Sequence, residues 1–114
     1  MNEKDDLREV EKVLTPDVID KVLETLKDEF NSHDFIEEFI KSEPKKYMRL
    51  VEEYWKKIDE NEKQKPISEF LFGYLHGNIG SHLYNSRKME WIGRVDSENI
   101  FGRLSKCSRW RKKQ

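Results

Sequence analysis

The stretch TPDVIDKVLETLKDEF, residues 15–30, decides the fold that we expect from this sequence. It opens with a helix start, because Thr15 can cap free amides, Pro16 suits the first helical position and Asp17 complements the positive end of the helix dipole. Large apolar residues then recur every three or four positions and form one face of a helix. They are Val18, Ile19, Val22, Leu23, Leu26 and Phe30. The spacing predicts an amphipathic helix from Pro16 to about Phe30.

The same spacing recurs on both sides of this stretch. Upstream, residues 4–14 predict a short first helix or a frayed start. Downstream, residues 35–40 predict a helix that Pro44 interrupts, and residues 44–61 predict another. The polar segment 59–66 has no apolar side chain until Pro66 begins a further helix, so it predicts a loop.

Glycine interrupts the apolar pattern near the end of this last helix. Gly77 and Gly80 each cost about 1 kcal/mol relative to alanine inside a helix, so they predict a break, a bend or close packing. The segment MEWIGRV, residues 89–95, is short, apolar and partly β-branched, so a short β-hairpin or wing near residues 91–95 stays an alternative. Asp96 or Ser97 can cap a final helix. We therefore expect an all-α, single-domain bundle of about five helices over residues 1–114.

Composition favours one packed domain without a cofactor. The chain has 114 residues, 39% of them charged and 35% hydrophobic, and its apolar residues are clustered at helical spacing rather than scattered. Cys107 is the only cysteine, which excludes an internal disulfide. The acidic N-terminus lacks the apolar stretch of a secretory signal, and no apolar run is long enough to span a membrane. We expect a cytoplasmic protein with no membrane partner.

Charge is divided unevenly along the chain, although the net charge is only −1. Residues 1–62 hold 11 basic and 19 acidic residues, a net of −8, whereas residues 63–114 hold 11 basic and 4 acidic residues, a net of +7. Residues 107–114 form a basic tail. Such a segment attracts polyanions, nucleic acid above all.

The segment WIGRVDSENIFGRLSK, residues 91–106, resembles a helix-turn-helix module in outline. A glycine turn, a polar cap and an amphipathic helix follow in that order, with residues 79–85 as the supporting helix and 98–106 as the recognition helix. Side chains here and in the tail can reach base edges, contact phosphates or stack on a base. The predicted nucleic-acid contacts are Asn99, Arg103, Lys106, Arg109, Trp110, Arg111, Lys112 and Lys113.

No catalytic or metal-binding set is predicted. His33 with Asp34 resembles the paired ligands of HD-type phosphohydrolases, but no further motif of that family is present. His76 and His82 are six residues apart and fall on different faces of a continuous helix. Cys107 has no identifiable base and orienting acid beside it in sequence. We predict no catalytic residue, metal or cofactor.

The sequence therefore predicts a non-catalytic regulatory or accessory protein that contacts DNA or RNA through its basic C-terminal helix and tail. The alternative is a protein-interaction adaptor, or a homodimer, with no nucleic-acid role. A third arrangement stays open, in which the basic tail pairs with acidic groups of the protein itself.

Overall fold

The structure is a computed structural model that describes residues 3–113. Helices occupy most of the chain up to residue 84, and a β-hairpin follows. The elements are α1 Glu3–Val13, α2 Pro16–Leu23, β1 Glu29–Asn31, α3 Ser32–Ser42, α4 Pro44–Lys57, α5 Glu60–Lys63, α6 Ile67–Phe70, a π-helical segment Leu71–His76 (the π segment), α7 Gly77–Tyr84, β2 Met89–Glu98 and β3 Leu104–Lys112. The helix predicted at residues 4–14 is present as α1. Fraying was the alternative for residues 1–14, of which residues 1 and 2 lie outside the described residues.

The helix starts follow the sequence signals. The Thr15 hydroxyl accepts a hydrogen bond from the Val18 amide at 3.4 Å at the start of α2. At the start of α3 the Asn31 side chain accepts from the Asp34 amide, and the Asp34 carboxylate accepts from the Asn31 amide, which is a reciprocal capping box. These caps satisfy amide groups that a helix start otherwise leaves without partners.

The expected all-α architecture is wrong, because the chain also forms a three-stranded antiparallel sheet in the order β1-β3-β2. The final helix predicted at residues 98–106 is a hairpin turn and the start of β3. Gly102 has a φ of +79°, which a helix does not tolerate, and the Asn99 side chain accepts from the amides of Phe101 and Arg103 to close the turn. Residues 91–95, where the sequence allows a short β-hairpin or wing, form the middle of β2.

Tertiary pairing also shortens α2, which ends at Leu23 rather than near Phe30. Phe30 continues the apolar spacing of α2, but it lies in β1 and pairs with Trp110 of β3. Both side chains are buried. A non-local strand pair therefore overrides the local helical pattern.

One continuous helical rod runs through α6, the π segment and α7, since Leu71 and Gly77 at the two junctions keep right-handed helical dihedrals. Of the break, bend or close packing predicted at Gly77 and Gly80, the break does not occur, and a Cβ atom on either glycine would meet no close neighbour. The buried face of this rod packs with α1 and α4 around the core. Its deepest side chains are Phe70, Leu75, Ile79 and Leu83.

Trp110 joins the sheet to the helices. Its side chain is 1% exposed, its indole N–H donates to the Ser32 hydroxyl at 3.0 Å, and its ring packs edge-on against Tyr84 of α7. A single β3 residue therefore contacts α3 and α7 at once. Among residues 3–113, no helix is both long enough and apolar enough to cross a bilayer.

We expect Trp110→Ala to lower the free energy of unfolding by about 3–5 kcal/mol, because it removes a fully buried aromatic side chain and the hydrogen bond that this side chain donates to the Ser32 hydroxyl. Urea unfolding followed by circular dichroism measures the loss. Trp91→Ala is the matched control, because Trp91 pairs with Trp110 across the strands but is 50% exposed. We expect a loss of about 1 kcal/mol or less there, and equal losses would contradict the role given to Trp110.

Candidate functional site

A cavity of about 400 Å³ lies between the helical rod, the start of α3 and the β2–β3 hairpin. We call it the hairpin pocket. This volume falls within the range of pockets that hold small molecules. The π segment contributes Phe72 and His76, α3 contributes Ser32 and His33, and the remaining walls come from α7 and the hairpin.

Three glycines of the helical rod form one wall of the hairpin pocket: Gly73, Gly77 and Gly80. A Cβ atom built on Gly73 or Gly80 would meet no described atom within 4 Å, and one on Gly77 would meet only the Phe72 carbonyl at 3.8 Å. None of the three has a positive φ. Neither close packing nor backbone conformation therefore requires glycine here, although each costs about 1 kcal/mol in a helix. What the three residues provide is open volume.

Two buried histidines line the same pocket. His33 is 9% exposed, its Nε2 contacts the Ser105 hydroxyl at 3.2 Å, and its Nδ1 has no hydrogen-bond partner among the described residues. His76 is 6% exposed, its Nε2 lies 2.7 Å from the Tyr47 hydroxyl, and Phe101 of the hairpin turn stacks on its ring. A buried polar atom without a partner is costly, but this nitrogen has almost no accessible surface and is therefore not open to the cavity.

The ionisable groups of the pocket are neutral at neutral pH, apart from two cations. Burial lowers the pKa of His33, and it lowers the pKa of His76 to about 4, with the nearby His33 as a second cause. Burial likewise raises the pKa of the Cys107 thiol, although the amides of His33 and Ser32 and the charge of Arg94 oppose that shift. The thiol is therefore protonated and a weak nucleophile.

The two cations are Arg94 of β2 and Lys106 of β3. Neither forms an ion pair with any side chain in the part of the chain that the structure describes. Asp96 lies opposite Lys106 in the sheet, but the two side chains form no ion pair. Among the described lining residues there is no carboxylate. The pocket is therefore electropositive, with neutral imidazole, hydroxyl and thiol groups as further hydrogen-bonding partners.

The predicted nucleic-acid residues fall into two separate groups. Asn99 and Lys106 line the hairpin pocket, and Arg103 lines a smaller cavity of about 140 Å³ next to it. Asn99 is buried, and its side chain closes the hairpin turn. Arg103 and Lys106 are exposed.

The second group lies at the other end of the hairpin. Arg109 and Arg111 both form ion pairs with Glu29 of β1, and Arg111 also pairs with Glu90 of β2. Trp110 is buried between helices and sheet, and the Lys112 ammonium donates to the Leu26 carbonyl. Lys113 is exposed.

Several pocket residues carried no functional prediction. Arg94 lies in a segment without a charge run, so its sequence gave no signal. The sequence indicates a helix disturbance at Gly77 and Gly80, and their spacing from Gly73 is the signal that the three share one helix face. His33 and His76 are 43 positions apart in sequence, and only the fold brings them to one cavity. Within residues 3–113, no group of three or more His, Cys, Asp or Glu is arranged to hold a metal ion.

Comparison of the chain with protein-family models, with curated proteins and with solved structures finds no match. The function is therefore argued from the geometry of the hairpin pocket.

The depressed pKa of His76 predicts that stability falls in mild acid. Unfolded His76 binds a proton near pH 6.5, whereas the folded protein resists protonation until about pH 4. The free energy of unfolding should therefore be level above pH 6.5 and fall by about 2 kcal/mol between pH 6.5 and pH 5. Urea unfolding across this window measures the slope. His76→Gln should flatten it, and an unchanged slope in that variant would show that other groups cause it.

Proposed function

We propose that this protein binds a small anionic ligand with an apolar part in the hairpin pocket, and that it serves as a non-catalytic regulatory or accessory protein. The observation that carries the proposal is the combination of an empty glycine wall with two unpaired cations facing the same cavity. Each feature is unfavourable or neutral for stability alone, and a bound anion with an apolar body makes use of both.

The apolar part of the ligand has suitable partners. Ile36 is buried at one side of the pocket, while Phe72 and Ile100 line it with partly exposed side chains. Covering these side chains removes apolar surface from water, at about 25 cal/mol for each Å². The π segment supports this assignment, because single π turns inside α-helices occur frequently at functional sites.

Charge and hydrogen bonding favour an anion over a neutral molecule. Arg94 and Lys106 supply positive charge to the pocket. These groups orient a polar head without chemical reaction.

Hexyl phosphate is a suitable probe, since it joins six apolar carbons to an anion. We expect it to shift the amide resonances of Gly73, Gly77 and Gly80 in an NMR titration. Arg94→Gln combined with Lys106→Gln should weaken binding by about tenfold or more. Arg87→Gln with Lys113→Gln, which removes two exposed cations outside the lining, should leave it unchanged. Absence of any shift at millimolar probe would refute the proposal.

Substitutions in the glycine wall test the stability of the helix and the binding of the ligand separately. We expect Gly80→Ala to raise the free energy of unfolding by about 0.5–1 kcal/mol, because the new methyl group meets open space in a helix. Gly80→Leu should retain the fold and abolish hexyl phosphate binding by occupying the cavity. A Gly80→Leu protein that binds the probe normally would argue against ligand entry beside α7.

Contact with DNA or RNA stays a second proposal, favoured by the exposure of Arg103, Lys106 and Lys113. These three cations form no ion pair among the described side chains. Affinity for a single-stranded oligonucleotide should then fall steeply as salt rises, and Arg103→Gln with Lys106→Gln should reduce that slope by about one to two. No binding in low salt would discard this role.

The adaptor stays an alternative proposal that rests on exposed apolar side chains, of which Leu104 at the hairpin is the most exposed. Self-association measured by sedimentation, and its loss in Leu104→Ser, would support it.

A further inference from the structure

Two half-exposed aromatic rings share one hydroxyl beside the hairpin pocket: Tyr84 lines the pocket, and Trp91 lies outside its lining. The Tyr84 hydroxyl lies 2.5 Å from the Ser108 hydroxyl, and the Trp91 indole N–H donates to the same oxygen at 3.3 Å. Tyr84 is 55% exposed and Trp91 is 50% exposed. We call these three residues the aromatic clamp.

The aromatic clamp is rigid. Ser108 is buried in β3, and Tyr84 also packs edge-on against Trp110 with 4.9 Å between ring centroids. Trp91 lies in β2 opposite Trp110. The polar atoms of both exposed rings therefore have partners, while their apolar surfaces face solvent. Rings that are fixed before binding lose little conformational entropy when a ligand covers them.

The aromatic clamp also adjoins a pocket cation. Tyr84, Ser108 and Arg94 all line the hairpin pocket, and Arg94 is the cross-strand neighbour of Ser108 in the sheet. An exposed ring and an unpaired guanidinium therefore meet at one end of the cavity. Lys106, two residues before Ser108 on β3, extends the positive charge along the same wall.

We propose that the ligand of the hairpin pocket carries a planar aromatic ring that stacks on Tyr84 of the aromatic clamp, with its anionic group held by Arg94 and Lys106. This inference rests on the proposed function and names its ligand class. A planar ring gains stacking contacts with fixed aromatic side chains, and such contacts contribute beyond the burial of area alone. An aliphatic chain of equal size gains only the area.

Phenyl phosphate and hexyl phosphate test the proposal, because they share the anion and the carbon number and differ in the ring. We expect phenyl phosphate to bind the wild-type protein at least about tenfold more tightly in NMR titrations. Equal affinities would overturn the aromatic preference while leaving the proposed function intact. Failure of both probes to bind would refute the proposed function itself.

Variants of Tyr84 test whether this residue causes the preference for phenyl phosphate over hexyl phosphate. Tyr84→Leu should reduce the ratio of the two affinities to near one, whereas Tyr84→Phe keeps the ring and should retain most of it. Trp55→Leu is the control, since Trp55 is an exposed aromatic outside the pocket lining, and its ratio should match the wild type. Circular dichroism verifies that each variant is folded. A ratio unchanged in folded Tyr84→Leu would overturn the proposal.

Discussion

The hairpin pocket depends on the burial of Trp110 between the sheet and the helices. A tryptophan side chain removes a large apolar area from water, and its indole N–H needs a partner once it is buried. Ser32 at the first turn of α3 supplies that partner, while Tyr84 at the last turn of α7 packs against the ring. The hairpin is therefore held at one end against two helix ends. Between this contact and the turn, the cavity lies between the hairpin and the helical rod.

The same arrangement explains why the cavity persists instead of closing. Phe101 at the turn stacks on His76, which is anchored in turn by Tyr47 of α4. The hairpin is thus attached to the helical layer at both ends, by Trp110 and by Phe101, with glycines between the two attachments. Protein interiors normally fill such spaces. The cavity thus lies between two contacts, beside glycines that each reduce helix stability.

Sequence patterns predicted the helical half well and the sheet badly. Thr15, Asn31 and the apolar spacing around them report local hydrogen bonding and a local face, and these act within a few residues. Phe30 and Trp110 pair across eighty residues, which no local pattern records. The prediction of a final helix was wrong for a related reason. Ile100, Phe101 and Leu104 have helical spacing, but the Asn99 turn and the positive φ of Gly102 lead the chain into β3. The pocket combines residues from α3, the π segment, α7, β2 and β3, so no local sequence pattern could group them.

The π segment sets the angular position of everything that follows it in the helical rod. Successive residues of an α-helix are about 100° apart. A π turn holds about one residue more than an α turn, so the same six residues wound as regular α-helix would turn Gly77 and Gly80 away from the hairpin by about that angle and leave the rod continuous. Deletion of one residue between Leu71 and His76, with return to regular α-helix, would instead leave both glycines facing the hairpin. The face of the rod that lines the cavity therefore depends on the hydrogen-bond register of the π segment as much as on the identity of its residues.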